Sequence, residues 1–303
     1  MGLGPSETMM GETAVLLVGF GVAAYYDWRY REVSDHLWQA LGAVGVFLGA
    51  VLLAPEGTTA LLTWAAVSAL ALEHLYPWDL AIERWDDRAP GYIEIVGFLA
   101  VGTYLGVIGV RSGVGSTGLP LPVIAAFASI LLGRGLFEAR LLYGGADAKA
   151  LISAGIVLPL QATSGLLAPP TATGILAVYP FSLTLLMNAA LLSISVPVAL
   201  AIVNLRRKEF TIGTGFTGYR IPVDDLPDRF VWLKDPTFAS SDEEAETAEE
   251  DRSQRLQQQS ELRAQGVQRV WVTPQVPFLV LLLAGAIVGS VFGNLIFDAL
   301  AYI

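Results

Sequence analysis

A succession of apolar stretches, each about as long as a bilayer is thick, dominates this chain and removes most folds from consideration. They run approximately over 12–27, 37–54, 58–76, 92–110, 119–142, 147–163, 176–203 and 275–299. A membrane helix needs roughly 20 mostly apolar residues, and backbone in hydrocarbon must satisfy its own hydrogen bonds. The pattern therefore predicts an all-α integral membrane protein with about eight transmembrane helices. Composition agrees, because 54% hydrophobic and 15% charged residues are far from the balance of a soluble domain. The first stretch reads as a retained helix rather than a secretory leader: Met1 to Gly11 carries no basic residue, and no small-residue cleavage site follows the apolar run.

Orientation follows from the basic residues, which concentrate on the cytoplasmic side. With eight spans and an external N-terminus, every one of the 18 lysines and arginines except Arg111 falls inside, and the C-terminus is external. Trp28, Trp38, Trp78 and Trp85 suit an interfacial aromatic belt. Two stretches are irregular. Arg134, Glu138 and Arg140 must face protein or snorkel from 119–142, and Pro180 or Pro197 kinks 176–203 or marks its start.

Three regions result: a seven-helix membrane region over 1–203 containing both aspartates discussed next, a cytoplasmic polar region over 204–273, and a last helix within 274–303. In the polar region, 213–223 is predicted as a short hairpin. The acidic run 241–251, the source of much of the net charge of −10, is predicted as a disordered linker. The stretch 252–268 is predicted as a surface helix lacking a broad apolar face, so no packed domain is expected. There are no cysteines, which excludes disulfides, thiolate metal sites and a cysteine nucleophile. With His36 and His74 as the only histidines, neither a metal nor a cofactor is expected, and no nucleic-acid partner is expected either. No feature of the sequence sets an oligomeric state.

Two carboxylates stand at the cytoplasmic ends of apolar segments: Asp27 at the end of the first, and Asp147 at the start of the sixth, after Gly144, Gly145 and Ala146. Ionisable groups at such positions usually face a polar cavity or do work there. Two carboxylates within hydrogen-bonding distance share a proton, so that one can act as base on water and the other as acid toward a carbonyl. The glycines would let a substrate strand approach the loop. Taken singly, each aspartate also has a structural reading. Asp147 can cap the sixth helix, and Asp27 can pair with Arg29 or Arg31 among the headgroups.

The flanking residues carry a resemblance. Asp27-Trp28-Arg29-Tyr30-Arg31-Glu32-Val33-Ser34-Asp35, directly after an apolar helix, resembles the first catalytic motif of the type IV prepilin peptidases. Gly144-Gly145-Ala146-Asp147 resembles their second motif, Gly-x-Gly-Asp, with Ala146 in place of the commoner glycine. Gly218-Tyr219-Arg220-Ile221-Pro222-Val223 and Trp271 to Phe278 are similar to archaeal preflagellin and prepilin peptidases. The resemblance implies a GxGD-type aspartic endopeptidase of an archaeal cell membrane, with Asp27 and Asp147 catalytic. Such an enzyme removes the short basic leader of prepilin or prearchaellin precursors at the cytoplasmic face and leaves the hydrophobic helix on the mature subunit. The bacterial enzymes' cysteine-rich region is absent, so N-methylation is not expected.

Arg29, Arg31, Glu32 and Lys149 are candidate substrate or electrostatic contacts, with Lys149 placed to tune Asp147. Asp35, Asp86 and Asp87 could attract a basic leader or serve as solvated loop charges. His36, His74, Glu73 and Glu138 read as structural. Two alternatives remain: a presenilin-like intramembrane protease, suggested by Tyr26-Asp27 but lacking a Pro-Ala-Leu motif, and a cation or proton transporter using the same aspartates.

Overall fold

The computed structural model describes residues 5–76, 89–115, 118–142, 144–160, 179–234 and 248–300. Asp86, Asp87, Trp78, Trp85 and most of the acidic run lie outside them. The chain divides into two compact units. One comprises residues 1–26, 33–189 and 278–303, and the other 27–32 and 190–277.

The first unit is helical. It contains most of α1 (Pro5–Tyr30), then α2 (Asp35–Leu53), α3 (Thr58–Leu75), α4 (Ala89–Ser112), α5 (Leu121–Glu138), α6 (Gly145–Val157), the start of α7 (Phe181–Ser193), and the late α10 (Phe278–Phe292) and α11 (Leu295–Leu300). Among the described residues, five helical stretches can cross a membrane by length and composition: Asp35–Glu56, Thr58–Leu75, Glu94–Ser112, Leu121–Glu138 and Phe181–Arg206. Phe278–Phe292 is apolar but shorter. The sixth predicted stretch is helical only to Val157, and 161–178 lie outside the described residues.

Helix α6 occupies the middle of this unit. Ala148 and every residue from Ala150 to Val157 are buried. Small residues on the neighbouring helices permit this, as they commonly do where membrane helices meet. A Cβ at Gly45 of α2 would come within 2.9 Å of the α6 backbone at Ile156 and Val157. At Gly155 of α6 it would lie 2.0 Å from the Ser129 side chain of α5. Two buried hydroxyls satisfy one another and the backbone: Ser182 donates to Ser129 at 2.8 Å, and Ser129 donates to the Ala125 carbonyl at 2.8 Å. Trp64 of α3 donates its indole N–H to the Val46 carbonyl of α2 at 2.9 Å, and Trp38 packs edge-on against Phe20 with ring centroids 6.0 Å apart.

The second unit corrects the reading of the polar region. Helix α8 (Ser195–Arg206) leads through a turn-rich loop to β1 (Tyr219–Pro222), a 3-10 turn (Val223–Asp228), β2 (Val231–Leu233), α9 (Ala248–Ala264) and β3 (Arg269–Pro274). Strand β1 does not close a local hairpin. It pairs antiparallel with β3, which also pairs with β2, giving the order β1-β3-β2. On β3 the alternation of the pleat buries Val270 and Val272 and turns Arg269 outward. These two valines form a small core with Ile221, Val223, Leu226 and Val231. The expected absence of packing also fails for α9, because Leu262 enters that core and Arg255 is buried with it. One leucine and one arginine stem at i, i+7 suffice to seat the helix, and the rest of its surface is mostly polar, with Leu256 exposed. The 3-10 turn is pinned by Arg229. Burial pushes the Arg229 pKa down, but hydrogen bonds to Tyr219 and Asp225 more than offset it and hold the group above its ordinary value.

The prolines in the seventh stretch are breaks. Helix α7 starts directly after Pro180, and α7 and α8 part at Ile194. Pro197 has no N–H to donate back to Ser193, so the ladder cannot run through.

Candidate active site

Asp147 sits in the first turn of α6. It is not the N-cap residue: Gly144 takes that position with extended backbone (φ −90°, ψ 126°), and the Asp147 N–H donates to the Gly144 carbonyl at 3.1 Å. Its carboxylate folds back over that residue, so that a Cβ at Gly144 would lie 3.0 Å from Oδ2. Gly145 is exposed, and a Cβ there would meet nothing within 4 Å among the described residues. The steric requirement within the chain therefore falls on Gly144, whereas Gly145 leaves the approach open. Ala146 and Asp147 are half-buried. A carboxylate in the first turn is also favoured by the helix dipole.

Lys149, one of the candidate electrostatic contacts, is engaged elsewhere. Its Nζ lies 2.5 Å from Oδ1 of Asp35, in the first turn of α2. Ser34 caps that helix by accepting from the His36 N–H at 3.4 Å. Asp35 and Lys149 thus tie the start of α2 to the first turn of α6, beside Asp147.

Asp27 belongs to the second unit, which takes over α1 between Tyr26 and Asp27. It is half-buried and lies in the last turn of α1, where its carbonyl accepts the Arg31 N–H at 3.1 Å. Arg31 has a left-handed conformation (φ 60°) that ends the helix. The Arg31 guanidinium donates to the Gln275 carbonyl at 2.5 Å and stacks on Phe230 at 5.1 Å from the ring centroid. The buried Arg255 of α9 lies against the same ring at 5.6 Å. The Gln275 N–H donates to the Phe230 carbonyl at 3.0 Å. Arg29 lies over Tyr30 at 6.0 Å, and Glu32 is exposed.

Arg255, Phe230 and Gln275 were not singled out from the sequence. The signal for Arg255 was its spacing with Gln259 and Leu262, i, i+4 and i+7 on a helix, hidden by their polarity. A second omission is Glu94 of α4. Arg134 of α5 makes a bidentate pair with it (Nε to Oε1 2.6 Å, Nη2 to Oε2 3.0 Å) and reaches Glu138 at 2.5 Å. His74 of α3 lies 3.2 Å from Glu94 and 3.0 Å from Glu73. Arg134 therefore faces protein, and Glu73, His74 and Glu138 join one network near the ends of three helices, whereas His36 contacts Gln39 on α2 at 3.0 Å. Among the described residues, no group of three His, Cys, Asp or Glu side chains is placed to hold a metal ion.

These observations define a multi-pass helical membrane protein with a small strand-containing unit inserted before its last helices and carboxylates held at helix ends. Residues 211–295 match the family model described as Archaeal Peptidase A24 C-terminus Type II. The match supports the archaeal prepilin/preflagellin peptidase family and, with it, a protease of the prepilin-peptidase type. It takes in all three strands, α9 and α10, while both aspartates lie outside it. No curated protein matches the chain.

Proposed function

We propose that this chain is an aspartic endopeptidase in which Asp27 and Asp147 act as one dyad, removing the leader of prepilin or prearchaellin precursors at the cytoplasmic membrane face. The observation that carries the reading is the placement of Asp147, folded over a side-chain-free N-cap at the exposed start of the most deeply buried helix. The family match at residues 211–295 gives independent support for a protease. The eight-span arrangement, with both termini external, puts the end of α1 and the start of α6 on the side where all basic residues but Arg111 fall.

In the proposed chemistry one aspartate is ionised and the other protonated. The ionised carboxylate takes a proton from water as the water oxygen bonds to the scissile carbonyl carbon. The protonated carboxylate gives its proton to the carbonyl oxygen, forming a gem-diol. The former base then gives its proton to the amide nitrogen while the other carboxylate takes one from a gem-diol hydroxyl; the C–N bond breaks, a carboxyl and an amine leave, and the dyad is back at its starting protonation. Neither a metal nor a cofactor takes part. The precursor's hydrophobic helix would lie in the bilayer, with its cleavage site at the open face of Gly145.

The test is a leader-removal assay in reconstituted membranes with one prepilin and one prearchaellin. The parent should cleave at least one of them, and Asp27→Asn and Asp147→Asn should each cleave neither while accumulating normally. Cleavage by either variant at the parent rate removes that aspartate from the mechanism. Aspartate-dependent ion flux without cleavage would support the transport reading instead.

A further inference from the structure

The loop joining α8 to β1 has no part in the proposed chemistry, yet it displays the most exposed large apolar side chain of this region. Ile212 is 90% exposed. Phe216, also exposed, stands edge-on to Phe210 with centroids 5.2 Å apart. Apolar groups at the tip of a tightly bonded loop stand in need of a partner.

The loop is preformed. The Gly215 N–H donates to Thr211 at 2.8 Å, the Gly218 N–H to Thr214 at 3.0 Å, and the Thr217 hydroxyl to Gly213 at 3.2 Å. Gly213 has φ 95°, which a side chain would strain. The buried amide of Asn204 donates to the Gly215 and Gly218 carbonyls at 2.8 and 2.7 Å. Asn204 lies in the last turn of α8, so the loop is fastened at the level of the helix end and cannot project far into water.

That helix end lies at a bilayer surface. Phe181–Arg206, with its break at Ile194, is the longest candidate span among the described residues, at 26 residues, and it ends in consecutive cations that hydrocarbon excludes. Its C-terminal end therefore reaches the headgroups. Three exposed cations follow one another there, Arg206, Arg207 and Lys208. The adjoining carboxylate, Glu209, is engaged by Arg269. The surface combines an apolar tip with an uncompensated basic rim, the pattern of a segment seated in an anionic interface.

We infer that the 209–218 loop is a lipid-binding anchor: Ile212 and Phe216 enter the interfacial layer of the cytoplasmic leaflet, and Arg206, Arg207 and Lys208 bind anionic lipid headgroups. The occupant is the membrane the chain already spans, because the loop is fastened to the end of a span and its charge complements an anionic leaflet. The inference stands independently of the peptidase reading.

The absence of cysteine makes a direct test available. Ile212→Cys, labelled with an environment-sensitive fluorophore, is compared in full-length protein with a label at the exposed Gln257 on α9, in nanodiscs of phosphatidylcholine with or without phosphatidylglycerol. In anionic discs the label at 212 should be about five-fold less quenched by acrylamide than the label at 257, and strongly quenched by lipids carrying a shallow nitroxide. Changing Arg206, Arg207 and Lys208 together to Gln should return acrylamide quenching at 212 to the weaker protection seen in neutral discs. Equal acrylamide access at 212 and 257 in anionic discs would overturn the inference. Protection that is unchanged in neutral discs and in the triple variant would also overturn it.

Discussion

The two aspartates are held by different physical means. Asp147 stands on α6, positioned by dense apolar packing: glycines on α2 and α6 bring neighbouring backbones and side chains to close contact, and nearly the whole helix is buried. Asp27 stands at the end of α1 in a unit of modest core, where the order comes from guanidinium groups. Arg31 and Arg255 share the face of Phe230, and Arg31 holds the Gln275 carbonyl. Packing of the first kind rejects added volume and unpaired polar groups. The second kind tolerates added volume at its rim and rejects loss of a donor. The two halves of the proposed dyad should therefore fail under different substitutions.

The largest effects test whether the aspartates share one reaction. Asp27→Asn and Asp147→Asn should each reduce leader removal by roughly 10² to 10⁴-fold. The double variant should be little worse than either alone, because a dyad missing one member has no second activity to lose. Multiplying losses in single-turnover cleavage would mean that the two residues act separately.

Next come substitutions that challenge packing around α6. Gly155→Leu should destabilise the helical unit by roughly 1–3 kcal/mol or prevent its accumulation, measured by thermal unfolding in detergent. Gly144→Val and Gly145→Val separate two further requirements. Gly144→Val crowds the Asp147 carboxylate and should impair cleavage of every substrate, including a short peptide. Gly145→Val adds a Cβ that meets nothing within 4 Å among the described residues, so it should fold normally and lose turnover chiefly with full-length precursor. Equal behaviour of the two variants would erase the distinction drawn between these glycines.

In the second unit, Arg255→Met keeps bulk but removes the cation from Phe230. It should cost roughly 1–2 kcal/mol, with the loss smaller when Phe230 is already Leu, as a double-mutant cycle would show. The smallest effect is expected at Lys149. Its pair with the partly exposed Asp35 should contribute no more than about 1 kcal/mol, and Lys149→Met should leave the pH profile of cleavage in place. A clear shift in that profile would restore Lys149 as a group that tunes Asp147.

Hydrophobic length and the basic residues made the membrane class legible, because both follow from the bilayer as solvent. The helix start after Pro180 was legible for a local reason. What escaped were features built by distant partners. The Tyr219–Pro222 strand looked like half of a hairpin, yet its partner is β3, some fifty residues on. The stretch from Arg252 to Gln268 looked too polar to pack, because the face formed by Arg255 and Leu262 contains only one apolar residue. Glu94 was invisible beside Arg134 until their helices were placed together. At Asp147 the sequence pointed to the loop and to both glycines, but it did not separate the close contact at Gly144 from the open face at Gly145.

The most direct test of the central claim uses the natural lack of cysteine. Asp27→Cys and Asp147→Cys are combined in one chain and treated, in membranes, with a short bifunctional thiol cross-linker, and the joined peptides are read by mass spectrometry. A working dyad predicts efficient cross-linking within single chains, diminished when a precursor occupies the site. If each cysteine reacts readily with a monofunctional reagent but no cross-link joins 27 to 147 under any condition that supports cleavage in the parent, the two aspartates do not form one catalytic site.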